Sequence, residues 1–569
     1  MLLTLLNYLW IYISAWTLGY FLLRVLKVSS EKQRNDWDIV LFSGIICLMV
    51  YAEIWSIFYR VGLLSNIVLG LIIIVGAIAF HNEVKRSLGS CKRFIVDAII
   101  ERNVRAIVLV GFGICVVLYF AIRGLQVADF YDTGLYHIQA IKWIEKYGVV
   151  KGLGNLHFRF AYNSAFLPLQ ALFSWNSLVG SSLHGMNSFI GLIAFCYALL
   201  TLSIWKDKHF NISDGLKLYI LYYVITVEYI SSPNTDFLAM ILVLYVVTRW
   251  IEELEKSDSD DSDAFSILTL IAISAVTVKL SAAMLCILVA KPIAVYIKNH
   301  NVRSVLKYGV VSCIIILPYI IRNILISGCI LYPIKFTLIK SVDWHMNESR
   351  IQYDHDEITA YARNIFDVDK YRAGFSEWFP GWIGGLTTSQ VAFLLLNLIL
   401  LIFFIGLLIF KIVTRKEMNK DRILVILTLE FQNIFWFVSA PKIRYGQVFL
   451  YIVPICVVSG LLKRIGKCEI LVKMQYFAIG GLFSLLVLSI PDDISIFRPY
   501  GYCEGAAYGT NINDIETIYV TSDENHDVCG SELFPVIPYA STLDEIEMRG
   551  ESFEDGFRLV DGYKDLKWW

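Results

Sequence analysis

The chain has 569 residues, 57% of them apolar and 17% charged, with a mean hydropathy of +0.60. A single soluble core cannot hide that much apolar surface, so the composition describes a polytopic membrane protein with most of the chain in lipid. A formal net charge of −1 excludes nucleic acid as a partner, because duplex binding needs a concentrated cationic face.

In chain order, the first apolar run (2–26) is too long and too aromatic for a cleaved signal sequence and reads as a retained helix. Further runs of spanning length follow at 39–59, 63–80, 106–122, 183–205, 216–230, 237–251, 265–278, 282–297, 305–326, 391–410, 423–438, 448–462 and 476–490. The expectation is an all-α polytopic protein of about 14 transmembrane helices. Lys and Arg collect in "RVLKVSSEKQR", "HNEVKRSLGSCKR", "WKDKH", "KNHNVR", "KIVTRKEMNKDR" and "KRIGK", all on one side if the spans alternate, and that side is cytoplasmic. Two long loops, 126–181 and 328–389, and the tail 491–569 then share the extracytoplasmic side of a bacterial inner membrane. The acidic tract "EKSDSDDSD" reads as a solvated cytoplasmic loop. The segment "TGLYHIQAIKWIEKYG" has the pattern of an amphipathic helix suited to the membrane surface.

The cysteines lie mostly within apolar runs and lack metal-ligand spacing, so they read as small buried hydrophobes. Cys503 and Cys529 stand apart in the polar tail, where a disulfide is open if that side is oxidising.

Chemistry concentrates in the outward segments. Asp129 and Asp132 follow the fourth span among Phe130, Tyr131 and Tyr136, an environment that can raise a carboxyl towards the working range of a general base. Helix capping is the plainer role for Asp132, whose neighbour Thr133 opens a helical pattern, and for Asp236 in "SSPNTDF". Lys279, Arg322, Lys442 and Arg444 fall at outward ends of apolar runs, where a cation either snorkels to the headgroups or meets an anionic partner in a cavity. Four on one face fit a phosphate or pyrophosphate, which Arg binds bidentately and Lys as a point charge. His137 and His157 have no spaced third ligand and read as structural or substrate-contacting. His345, with Asp343 and Glu348, can contact an acceptor or a metal, and Trp378 in "EWFPGW", like Trp344, offers a face for a sugar ring or an interfacial anchor.

The motifs "DFYDTGLYH", "SSPNTDF", "VKLSAA", "RNILISGCILYP" and "APKIRYG" together resemble the GT-C superfamily of polytopic glycosyltransferases, within it a bacterial subgroup associated with surface polysaccharides. The resemblance covers 106–446 as a catalytic module. It leaves 1–105 as additional N-terminal helices, 447–490 as C-terminal helices and 491–569 as an extracytoplasmic tail. It implies transfer of a sugar from a polyprenyl-phosphate donor to a hydroxyl of a surface glycan or glycolipid, with inversion. By carry-over Asp132 is the base, and Asp129 assists it or holds a divalent metal such as Mg²⁺ or Mn²⁺, metal-independent catalysis being equally open. Lys279, Arg322 and Arg444, with Lys442, are expected to bind the donor phosphate, and Tyr136, His137, His157, Asp236, His345 and Trp378 are candidate substrate contacts. A polysaccharide polymerase using lipid-linked repeat units is the nearer rival, and a flippase for lipid-linked sugars the more distant one.

Overall fold

A computed structural model of the chain describes residues 1–28, 36–81, 85, 104–126, 130–205, 209–256, 262–464, 469–490, 507–512, 516–521, 533–538 and 540–564. Asp129, Cys503, Cys529 and most of the acidic tract lie outside the described residues.

Every expected span falls on a helix. Among the described residues, eight helices are long and apolar enough to cross a membrane: Leu2–Val25, Trp37–Phe58, Ile107–Gly124, Leu280–Lys298, Val302–Ser327, Thr388–Val413, Lys420–Ser439 and Ile443–Arg464. The chain is thus a helical, multi-pass membrane protein. The other expected spans are shorter or carry more charge. Met186–Leu200 and Ile212–Thr226 have 15 residues each, a rise of about 23 Å against a hydrocarbon core of about 30 Å. Thr235–Glu255 is long enough, with 21 residues, but has Asp236 at one end and Arg249, Glu252, Glu253 and Glu255 at the other.

The N-terminal helices belong to the body of the protein. Gly19 and Gly44 let Leu2–Val25 and Trp37–Phe58 touch backbone to backbone: a Cβ on Gly44 would lie 1.7 Å from the Ala15 carbonyl oxygen. Asn7 and Asn66 donate to the carbonyls of Phe173 and Leu172 at 3.0 and 2.7 Å, and Tyr8 shares a 2.5 Å hydrogen bond with Ser188. By contrast Thr388–Val413 buries only Asn397, which donates to the Leu450 carbonyl at 2.8 Å.

The tail departs from the all-helical expectation. Strand β1 (Ala507–Ile512) pairs antiparallel with β2 (Glu516–Thr521), and β3 (Val536–Ile537) pairs parallel with β2. Strands β4 (Ile546–Met548) and β5 (Phe557–Leu559) form a separate antiparallel pair. This small β layer sits on the first long segment: the amides of Val536 and Phe557 donate to Gln139 Oε1 at 3.1 Å and to the Lys151 carbonyl at 2.9 Å. Arg549 reaches Asp343 of the second long segment at 2.9 Å. Helix Ile138–Tyr147 has the expected amphipathic pattern, yet its apolar side is enclosed by protein: Trp143 is fully buried, edge-on to Phe534 and Phe553 of the tail.

Candidate functional site

A cavity of about 570 Å³ opens where the tail-side ends of several helices meet the first long segment. Its charged wall comes from three chain breaks. Helix Ser262–Val278 stops, Lys279 takes an extended conformation (φ −155°, ψ 127°), and the chain resumes as a ten-residue 3₁₀ run, Leu280–Val289. Such long 3₁₀ runs are uncommon and mark local strain or function. The carbonyls freed at this break accept hydrogen bonds from the Ala165 amide (to Thr277, 3.0 Å) and the Ser164 hydroxyl (to Val278, 2.8 Å). The second break precedes Thr235–Glu255, whose cap is Asn234: its side chain accepts from the Phe237 amide at 3.0 Å. Asp236 in the first turn is therefore released from capping. The third break is at Pro441. Trp436 donates to the Lys442 carbonyl at 2.9 Å and packs on Gly446, where a Cβ would lie 2.3 Å from the indole, so Arg444 is held at the start of its helix.

These breaks bring four charges together. Lys279 Nζ bonds Asp236, Arg444 Nη2 donates to Asp132 Oδ2 at 2.8 Å, and Arg444 Nε lies 3.4 Å from Asp236 Oδ2. Lys279 and Arg444 both lie over the Tyr445 ring, at 4.5 and 5.0 Å from its centroid. Asp132 stands at the cap position of a π-helical turn, Thr133–His137, but its side chain makes no capping bond and turns to Arg444 instead. π-turns recur at functional sites. Burial holds His137 down at about 4, so its imidazole is neutral near pH 7 despite the Asp132 carboxylate nearby. Burial and the Asp132 charge push the Tyr136 phenol well above its usual range.

A second charged group lies in the same cavity wall. Arg159 pairs with Asp354 at 3.0 Å and with Glu357 at 2.5 Å. Asp354 also accepts from the hydroxyls of Tyr162 and Tyr332, and burial pushes its carboxyl upward against the Arg159 charge.

Asp132, Tyr136, His137, His157, Asp236, Lys279 and Arg444 therefore line one cavity. Among the described residues, the other expected site residues do not line it. Arg322 is 1% exposed and donates to Ser56 and to Asn163 Oδ1, so the cavity meets its partner Asn163 and not the guanidinium. Lys442 bonds Asn364 at 3.1 Å and caps the Tyr361 ring. His345 Nδ1 faces the Met346 carbonyl at 3.0 Å, while Asp343 pairs with Arg549 and Glu348 with Lys340. Trp378 is buried among Phe375, Trp382 and Phe437 with Arg363 over its ring, which leaves no open face for a sugar. Conversely, Arg159, Tyr162, Tyr332, Glu357 and Tyr445 line the cavity without having stood out in sequence. The one available signal for Arg159 was a basic residue flanked by aromatics in "HFRFAY".

Among the described residues no three His, Cys, Asp or Glu side chains are grouped so as to hold a metal ion. Asp132 and Asp236 already face two cations, which weakens their pull on a divalent ion.

Fold and site define a helical membrane protein with a charged, tyrosine-rich cavity at one end of its helices. The chain belongs to the family described as a domain of unknown function, DUF8201, whose model matches residues 1–451. The match takes in every residue that lines the cavity and stops before the β layer. No curated protein and no solved structure matches the chain.

Proposed function

We propose that the protein is a membrane glycosyltransferase that moves a sugar from a polyprenyl-phosphate donor to a hydroxyl of a surface glycan or glycolipid, on the extracytoplasmic face of a bacterial inner membrane. The observation that carries this reading is the shared array of Asp132, Asp236, Lys279 and Arg444 on one cavity wall, with Lys279 and Arg444 at the ends of helices long and apolar enough to cross a membrane. Helices Leu280–Lys298, Val302–Ser327 and Lys420–Ser439 have the basic segments 298–303 and 411–422 at their far ends, which the positive-inside rule assigns to the cytoplasm.

In this reading the acceptor hydroxyl oxygen attacks the anomeric carbon and the bond from that carbon to the donor phosphate oxygen breaks. The leaving polyprenyl phosphate keeps the electron pair, and the hydroxyl proton passes to Asp132. Lys279 and Arg444 stabilise the charge that grows on the leaving oxygen. Arg444 links the two roles: as it turns to the phosphate, it releases the Asp132 carboxylate to face the acceptor hydroxyl.

The test uses full-length protein in bilayers, with a panel of polyprenyl-phosphate sugars and glycan acceptors. Asp132→Asn keeps the size of the side chain and removes the base, and turnover should fall by about 100-fold to 10,000-fold. Near wild-type turnover in Asp132→Asn together with a dead Asp129→Asn would move the base to the other carboxylate. Full activity in both would sink the mechanism.

A further inference from the structure

The cavity has two charged ends of different balance. At one, two carboxylates meet two cations. At the other, the ion pairs seen among the described residues are those of Arg159 with Asp354 and Glu357. The next cation, Arg350, pairs with Glu545 of the tail at 3.5 Å. Tyr136 stands between the two ends: it feels Asp132 and Arg444 on one side and Arg159 on the other, and its ring lies 6.4 Å from that of Tyr162.

A phosphate is repelled where carboxylates outnumber cations. A neutral polyol is not, because its hydroxyls donate to carboxylates and accept from guanidinium and phenol groups. We propose that the Arg159–Glu357 end of the cavity is the subsite for the sugar ring of a substrate, and that phosphate is confined to the Lys279–Arg444 end; this rests on the glycosyltransferase reading for the identity of the phosphate lipid. Asp354 is a positioning residue. Its side chain is fully buried, and its bonds to Arg159, Tyr162 and Tyr332 fix the guanidinium that, with Glu357, presents the hydrogen-bonding groups. Asp354 and Glu357 lie three residues apart on helix Glu348–Ala362, so one helix face supplies both carboxylates.

The ring can belong to the donor or to the acceptor, and the experiment separates these sources. Full-length protein in bilayers is titrated with a polyprenyl phosphate that carries no sugar, with the same lipid carrying a hexose, and with soluble oligosaccharides. Glu357→Gln should weaken binding of the hexose lipid by about 10-fold to 100-fold, the cost of one charge-assisted hydrogen bond, and leave the sugarless lipid unchanged. The same loss confined to oligosaccharides assigns the subsite to the acceptor. In the wild type, a bound sugar should also protect Glu357 from carboxylate-specific labelling read by mass spectrometry, which needs no variant to fold. The proposal is overturned by an equal loss for sugarless and hexose lipids, by no loss for any probe, or by a wild type that binds no sugar-bearing probe. Binding of oligosaccharide without any phosphate lipid would instead remove the donor assigned above and keep the subsite.

Discussion

Helix Thr235–Glu255 carries a charge cluster at each end, and the two clusters differ in what surrounds them. Asp236 opens the helix beside Lys279 and Arg444, on the wall of the cavity. Arg249, about 20 Å further along, meets Asp36, Asp38, Glu252 and Glu253, with Lys217 on Glu252. Tyr245 and Tyr197 donate to Asp38 and Glu252, each at 2.8 Å. The residue types are the same at both ends, yet no member of the Arg249 cluster lines the cavity. The Arg249 cluster consumes its own charges in tying four helices together. At the cavity end, side-chain exposures of 22–27% for Asp132, Lys279 and Arg444 leave a face from which a ligand can be met. Buried charge in a membrane protein marks a site only where it borders a space that can be filled.

Single substitutions tell the two clusters apart. Arg249→Ala takes the cation from buried Asp38 and from Asp36, and should cost about 3 to 5 kcal/mol of stability, seen as an early thermal transition. Whatever protein remains folded should keep its specific activity. Arg444→Ala should do the reverse. It removes about 2 to 4 kcal/mol of transition-state stabilisation in sugar transfer, with a thermal transition close to wild type. Should Arg444→Ala unfold the protein and Arg249→Ala abolish only transfer, the two clusters would have to exchange roles.

A smaller effect sharpens the cavity end. His137 titrates near 4 in the folded protein against an ordinary 6.5. Folding therefore favours its neutral form: the stability it contributes is complete above pH 6.5 and is lost as the pH falls towards 4. The loss should approach about 1.4 kcal/mol per pH unit in that window. Comparing the thermal transition of the wild type and His137→Gln at pH 7.5 and 5 should show the wild type falling more steeply. Equal slopes would mean that His137 is protonated, or open to water, in the folded state.

The helical, multi-pass character is legible in the chain, because about 20 consecutive apolar residues have no cheap alternative to a buried or lipid-embedded helix. The sequence also located Asp132, Lys279 and Arg444 at helix ends, since charge next to an apolar run is costly unless something holds it. What it could not determine was which charges meet. Asp132 and Arg444 are 312 positions apart and make a hydrogen bond, while Arg322, equally plausible by position, points into packed protein and Lys442 bonds Asn364 instead. Asp236 reads as a cap until Asn234 is seen to take that role. Arg159 looks like an ordinary loop residue until Asp354, Glu357 and two tyrosines close around it. The β layer was hidden for a related reason: its strands are two to six residues long and find their partners by packing on Gln139, Lys151 and Leu156, far away in the chain. Span by span, hydropathy is a local property written in consecutive residues. The cavity is a property of contacts between distant segments, which exist only once the chain has folded.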